Sequence, residues 1–310
     1  MGAIFKTISK EIKFFYPNTR IGIIGIALLI SLLPLPIYVS YGIVIIFILS
    51  IGLMHGATDH LLYINAQGLS LNNSIPRKFF VKYLITLISM VAIWWLIPSF
   101  ALGLFIITSA YHFGQTQWQY LKITERSILK KSIYTSWGLL ILLLIVIFND
   151  EESNALIHSV GIDIDVNSFQ PMIYISFVIW VLLLLYFRGV LEWRALAFEG
   201  IELLIIIFFS WRTDLLISFG LFFGLWHSLR ASQVQIDKIK EDQPFTTKDF
   251  IKGSLPFTLI SLFGIFLLIF LSSFLNETIK TEMLFLIAIS ALTMPHMIIY
   301  EEFYGAHNTD

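Results

Sequence analysis

The chain contains no cysteine and few charged residues. Only 13% of its 310 residues are Asp, Glu, Lys or Arg, about half the fraction usual in soluble globular domains. Without cysteine the protein has no disulfide, no iron–sulfur cluster and no thiolate metal site, which leaves histidine, aspartate and glutamate as its strong metal ligands. The formal net charge is −1 and the chain has no long basic run, so nucleic acid is not an expected partner.

Hydrophobic residues make up 57% of the sequence, and its mean hydropathy is +0.82. A membrane-spanning helix needs about 20 mostly apolar residues. We therefore predict an all-α fold, a polytopic transmembrane helical bundle of about ten spans. The predicted spans cover residues 21–36, 39–64, 79–96, 99–118, 130–148, 172–188, 191–211, 213–231, 253–274 and 283–302.

The positions of Lys and Arg predict the orientation, because short cytoplasmic loops carry an excess of both. With the amino end inside, alternation of the spans leaves only Arg212 and Lys280, of 20 basic residues, on the outer side. We predict a multi-pass protein of the inner (cytoplasmic) membrane with both termini in the cytoplasm. Residues 1–20 form a basic amphipathic cytoplasmic arm, residues 21–302 a single transmembrane catalytic domain, and residues 303–310 a cytoplasmic tail.

Four histidines lie within four different predicted spans: His55, His112, His227 and His296. Each lies roughly 20–24 Å below the outer end of its span, so the four form one layer. A single intramembrane histidine is most simply explained by a hydrogen bond between helices. Four at one depth instead favour a shared metal ion, for which neutral imidazole suits Fe(II), Zn(II), Cu or Ni.

Two polar residues follow His55 closely. Asp59 is four residues further on, on the same face of a regular helix, and a ligating imidazole usually donates its other N–H to a carboxylate or carbonyl. We therefore predict that Asp59 orients the His55 ring. His60 points about 140° away from His55 around the helix, so we place it beside the site and outside the set of metal ligands.

Other side chains lie near the predicted histidine layer. Glu199 is at a similar depth in the seventh span and is either a base beside the metal or an ion-pair partner of Arg194 or Arg230. Several aromatic residues flank the histidines and can line an apolar substrate tunnel or simply fill the core. The predicted tunnel residues are Phe113, Phe222, Phe223 and Trp226.

The histidines occur in four short motifs, which read HGATDH, YHFG, WHSLR and MPHM in chain order. Together these motifs resemble the Brp/Blh family of membrane β-carotene 15,15′-dioxygenases, and the resemblance covers nearly the whole chain. It implies cleavage of the central double bond of β-carotene by O₂, giving two retinals, on a non-haem Fe(II) held by histidines. It further implies that retinal is supplied to a rhodopsin.

The resemblance also implies which residues hold the iron. The family's ligands fall on His55, His112 and His227, and the family has a further histidine four residues after the third. Here that position is Ala231, which cannot coordinate a metal. We predict that His296 supplies the fourth ligand and that the protein is active despite Ala231.

Two other functions are compatible with the same residues. Pairs of the histidines can ligate haem in a haem-binding or other metal-binding membrane protein of the same fold. Glu199 or Asp59 can relay protons in a proton-coupled transporter, although the absence of an internal repeat and of Gly- or Pro-broken spans argues against it. The expected partners of the leading interpretation are β-carotene or a related carotenoid, O₂ and membrane lipid.

Overall fold

The computed structural model describes residues 16–119, 128–188, 191, 193–272 and 281–306. Every regular element within these ranges is a helix, which confirms the predicted all-α class. The α-helices are α1 (Pro17–Leu32), α2 (Ile37–Phe47), α3 (Leu53–Gly56), α4 (Asp59–Ala66), α5 (Arg77–Leu96), α6 (Pro98–Trp118), α7 (Ile128–Phe148), α8 (Asp150–Ser159), α9 (Gln170–Tyr186), α10 (Trp193–Arg212), α11 (Leu215–Phe219), α12 (Ser228–Asp242), α13 (Thr247–Ser272) and α14 (Thr281–Ala306). Two π-helical segments, Ile48–Gly52 and Gly220–His227, and a 3₁₀ turn, Val166–Phe169, complete the set.

Each of the ten predicted apolar segments overlaps a helix of the structure. Within the described ranges, six helical stretches are long and apolar enough to cross a membrane, and α1 is a shorter apolar helix. The six stretches are Ile37–Ala66, Arg77–Leu96, Ile128–Phe148, Val166–Tyr186, Leu215–Asp242 and Thr247–Phe270. The ten-span count and the orientation stay predictions. Of the predicted arm and tail, residues 1–15 and 307–310 lie outside the described residues.

The carboxyl end of the eighth predicted segment is wrong. The helix does not end at residue 231 but continues without interruption as α12 to Asp242. The reason is that Ala231, Val234 and Ile239 recur on one face at helical spacing and are fully buried, so packing continues past the apolar run. A consequence is that Arg230, predicted in a cytoplasmic loop end, is a buried residue within a helix.

The chain divides into two compact units. The first comprises Met1–Phe47, Ser109–Asn154 and Asp165–Arg230. In it α7 packs on α9 and α10, and α1 packs on α10, around a core rich in buried tryptophan and phenylalanine. The second unit comprises Ile48–Thr108, Ala155–Ile164 and Ala231–Asp310. In it α14 packs on α4 and α5, where Trp94 Nε1 donates to Ser290 Oγ at 2.6 Å.

Helices α6 and α7 cross in the first unit with their backbones in contact. A Cβ atom at Gly114 would lie 1.8 Å from the Tyr134 carbonyl oxygen, and one at Gly138 would lie 1.8 Å from the Ala110 carbonyl oxygen. Only glycine fits at both positions, because any side chain would overlap the opposite backbone. The crossing therefore fixes the carboxyl half of α6, where His112 lies.

Candidate metal centre

Two of the predicted ligands form a pair within the first unit. The rings of His112, on α6, and His227, at the end of the second π-helical segment, have centroids 5.0 Å apart and are inclined by 72°. Both side chains are buried. The edge of Phe113 contacts the His227 ring at 4.6 Å between centroids, and Phe223 stacks on the same ring at 6.1 Å. The pair thus lies in an aromatic, water-poor environment.

Both His227 and His55 are positioned by π-helical segments. His227 is the last residue of Gly220–His227, and His55 follows Ile48–Gly52 by three residues. A π-helix closes i→i+5 hydrogen bonds, so it holds one extra residue, which turns the following helix face by about 100°. Such segments are rare and often occur at functional sites. The side chain of Ser228 stabilises the second segment by donating to the Phe223 carbonyl oxygen at 2.6 Å.

A second histidine pair lies within the second unit. The Nε2 atoms of His55 and His296 are 3.0 Å apart, and the two buried rings are inclined by 78°. Asp59 Oδ1 is 2.6 Å from His296 Nδ1. Asp59 therefore orients His296 and not His55, for which the i+4 spacing was predicted to act. The spacing misled because the helix is interrupted by a turn at residues 57–58 between α3 and α4.

The geometry of this second pair fits a metal ion. Two nitrogen ligands, each about 2.1 Å from one ion and at right angles to each other, are about 3.0 Å apart. Since Asp59 accepts the Nδ1 proton of His296, the Nε2 lone pair of that ring is available for coordination. The observed separation of the two Nε2 atoms is thus that of adjacent ligands on one ion.

Three of the predicted ligands form a group able to bind a metal. One ring nitrogen from each of His55, His112 and His227 lies within 4.8 Å of the other two, and all three side chains are buried. An all-imidazole donor set suits Fe(II), Zn(II) and Cu(II), and it excludes the thiolate chemistry that the composition already ruled out. His296 is joined to this group through its 3.0 Å contact with His55.

The remaining predicted residues lie in different surroundings. His60 is buried against Phe257, with ring centroids 4.6 Å apart. Three of the predicted tunnel residues are buried members of the first unit's core, and Phe223 packs against that core. The tunnel itself stays a prediction. Ala231 has no exposed surface.

Glu199 does not pair with Arg194 in the described contacts but with Arg20, and Glu202 shares the same guanidinium. Sequence reasoning missed Arg20, because it placed this residue in the cytoplasmic arm. It also gave Glu202 and Gln117 no role. The signal was present: two glutamates at i and i+3 on an apolar helix share one face and need buried partners.

The fold and these histidines define an all-helical protein with membrane-spanning helices and a buried three-histidine group that can bind a metal. A family model described as beta-carotene 15,15′-dioxygenase matches residues 46–304. Because this match covers most of the chain, the protein belongs to that family, which confirms the resemblance noted from its motifs. The comparisons with curated proteins and with solved structures gave no match.

Proposed function

We propose that the protein is a membrane-embedded non-haem iron dioxygenase that cleaves β-carotene or a related carotenoid at its central double bond with O₂ to give retinal. The observation that carries this proposal is the buried group of His55, His112 and His227 inside the region matched by the dioxygenase family. Membership supports the reaction class, and the group supplies the donor atoms that such chemistry needs.

Four histidines would hold Fe(II) in this proposal: His55, His112 and His227, with His296 in place of the histidine that Ala231 replaces. Bound iron would supply the redox chemistry that lets O₂ react with a carbon–carbon double bond. Four imidazoles would leave two positions of a six-coordinate ion free for the reaction. Asp59 holds the Nδ1 proton of His296, which keeps its Nε2 unprotonated and fixes the ring orientation.

The surroundings of the first histidine pair suit an apolar substrate. Phe113, Phe222, Phe223 and Trp226 would line its path and exclude water from the reacting double bond. A carotenoid partitions into lipid, so the enzyme needs no charged side chain to bind it and can take it directly from the bilayer. Oxidative cleavage of a double bond also requires no acid–base pair, which leaves Glu199 and His60 without a direct part in the reaction.

The cellular setting follows from the charge pattern. We place the protein in the inner membrane as a multi-pass protein with about ten spans and both termini in the cytoplasm. The histidines would then lie in the cytoplasmic half of the bilayer. The retinal product would be released into lipid, where a rhodopsin can take it up.

Expression in a bacterium that accumulates β-carotene tests the proposal directly. Cells making the wild-type protein should lose the pigment and yield retinal, whereas the His55→Ala and His112→Ala proteins should leave it intact. His158→Ala is a matched control, because that imidazole is half exposed and its nearest acidic partner, Asp163, is 3.9 Å away. Intact β-carotene in cells with folded wild-type protein would overturn the proposal, and a Soret band in that protein would point to haem instead.

A further inference from the structure

A cluster of charged and amide side chains is buried in the first unit. It consists of Arg20 on α1, Gln117 on α6, Glu199 and Glu202 on α10, and Arg230 on α12. The exposed fraction of each of the four charged side chains is only 1–2%, and Gln117 is equally buried. The proposed reaction uses none of these groups, so their presence in an apolar interior needs another explanation.

Arg20 bridges the two carboxylates. Its guanidinium contacts Glu199 through Nη2 and Glu202 through Nε, and Nη2 also donates to Glu202 Oε2 at 2.7 Å. The planar fork of arginine is suited to holding carboxylates in a fixed direction. The two glutamates, which would repel each other on one helix face, are thereby held together.

Gln117 joins this ion cluster to α6 and α12. Its side-chain Nε2 donates to Glu199 Oε2 at 2.6 Å and to Glu202 Oε2 at 2.7 Å. Its backbone carbonyl oxygen accepts a hydrogen bond from Arg230 Nη2 at 2.9 Å. Arg230 Nη1 is also 3.8 Å from Glu202 Oε2. Gln117 therefore connects three helices through its side chain and its main chain.

The cluster lies close to both histidines of the first unit along the chain. Gln117 follows His112 by five residues and Arg230 follows His227 by three, which correspond to a rise of about 7.5 and 4.5 Å. The bond between Gln117 and Arg230 thus ties the two histidine-bearing helices together within about two turns of the ring pair. A shift of either helix would move one imidazole relative to the other.

Stability alone does not account for such a cluster. Two positive and two negative side chains balance each other, yet burying them costs solvation that their attraction only partly repays, and apolar residues of similar size are often as stable. What a directional network adds is a defined position of one helix against another. The position fixed here is that of α6 against α12.

We propose that the cluster positions His112 and His227, with Gln117 and Arg230 as the positioning residues. The inference rests on the proposed function in that it takes these two histidines as metal ligands. The cluster sets the separation of the two rings, and hence the affinity and the ligand field of the bound metal, without touching the metal itself.

Gln117→Met tests this role with little risk to folding. Methionine keeps the volume and the backbone carbonyl and leaves all four charges, but it removes both amide donations. A second, charge-balanced variant, Arg230→Met with Glu202→Gln, removes the link to the Gln117 carbonyl. We expect each folded variant to bind Co(II) about 10-fold more weakly and to show altered d–d absorption bands. Trp94→Phe, which removes a buried hydrogen bond in the second unit, should leave both readouts unchanged.

The outcomes separate the two proposals. A wild-type protein that binds neither Co(II) nor iron would refute the metal site itself. Metal binding by the wild type, together with unchanged affinity and bands in both variants, would refute only the positioning role. If Gln117→Met does not fold, the charge-balanced variant decides, and failure of both to fold would show a purely structural cluster and overturn the inference.

Discussion

The two histidine pairs are held in place by different means. His112 and His227 are positioned by backbone features, a glycine crossing and a π-helical segment, and their rings contact aromatic side chains. His55 and His296 are positioned by side-chain hydrogen bonding, with Asp59 directing the second ring. A backbone contact tolerates no change of volume, whereas a side-chain contact can be weakened by degrees. The two pairs should therefore fail in different ways when altered.

The largest effect is expected from Gly138→Ala. The new Cβ would lie 1.8 Å from the Ala110 carbonyl oxygen, so α7 must move away from α6 and the first pair loses its support. Folded protein and bound metal should be lost together, as measured by size-exclusion chromatography and metal analysis. Gly264→Ala is the matched control, because a Cβ there has no atom within 4 Å. Normal yield and metal content for Gly138→Ala would contradict the described crossing.

His296→Ala should come next, with loss of retinal formation in a protein that still folds. If His296 fills the position vacated at Ala231, then Ala231→His alone should change activity little. Combined with His296→Ala, it should restore part of the iron content, because residue 231 lies one turn beyond His227 on the same face. Ala231→Phe adds similar volume without a ligand and should restore nothing. Full activity of His296→Ala would show that this imidazole is no ligand.

Asp59→Ala should have a graded effect. Removing the partner of a ligating imidazole typically costs 10–100-fold in metal affinity, and Asp59→Asn, which keeps a carbonyl acceptor, should cost less. Iron titration followed by mass spectrometry measures both. His60→Phe is a neighbouring control, since His60 packs against Phe257, and it should retain its iron. Equal affinities for Asp59→Ala and the wild type would refute the orienting role.

The smallest effect is expected at the ion pair of Lys82 and Glu302, on two helices of the second unit. Both side chains are partly exposed, so the pair should contribute only about 0.2–1 kcal/mol to stability. Lys82→Gln should leave iron affinity and retinal yield unchanged, with a slightly lower denaturation midpoint. A large loss of iron would mean that the second pair also depends on the packing of α5 and α14.

The sequence predicted the helical class, the helix positions and the family, because apolar length and histidine motifs are local signals. Three features lay beyond it for physical reasons. A π-helical segment differs from an α-helix by one residue, which no apolar pattern registers. The turn after Gly56 redirected Asp59 by breaking the helical period. The pairing of Arg20 with Glu199 joins residues that are 179 positions apart, and such pairing depends on the tertiary fold.

The π-helical segments also constrain how the length of this chain can change. Removing one residue from Gly220–His227 would not break the helix, because the segment can relax to ordinary i→i+4 bonding. Everything after the deletion, including Arg230, would then rotate by about 100° relative to what precedes it. A chain shortened by one residue here would keep its hydrophobicity and its motifs while losing the alignment of two clusters at once. In a deletion scan, this segment should therefore appear as a short interval where function disappears without loss of expression.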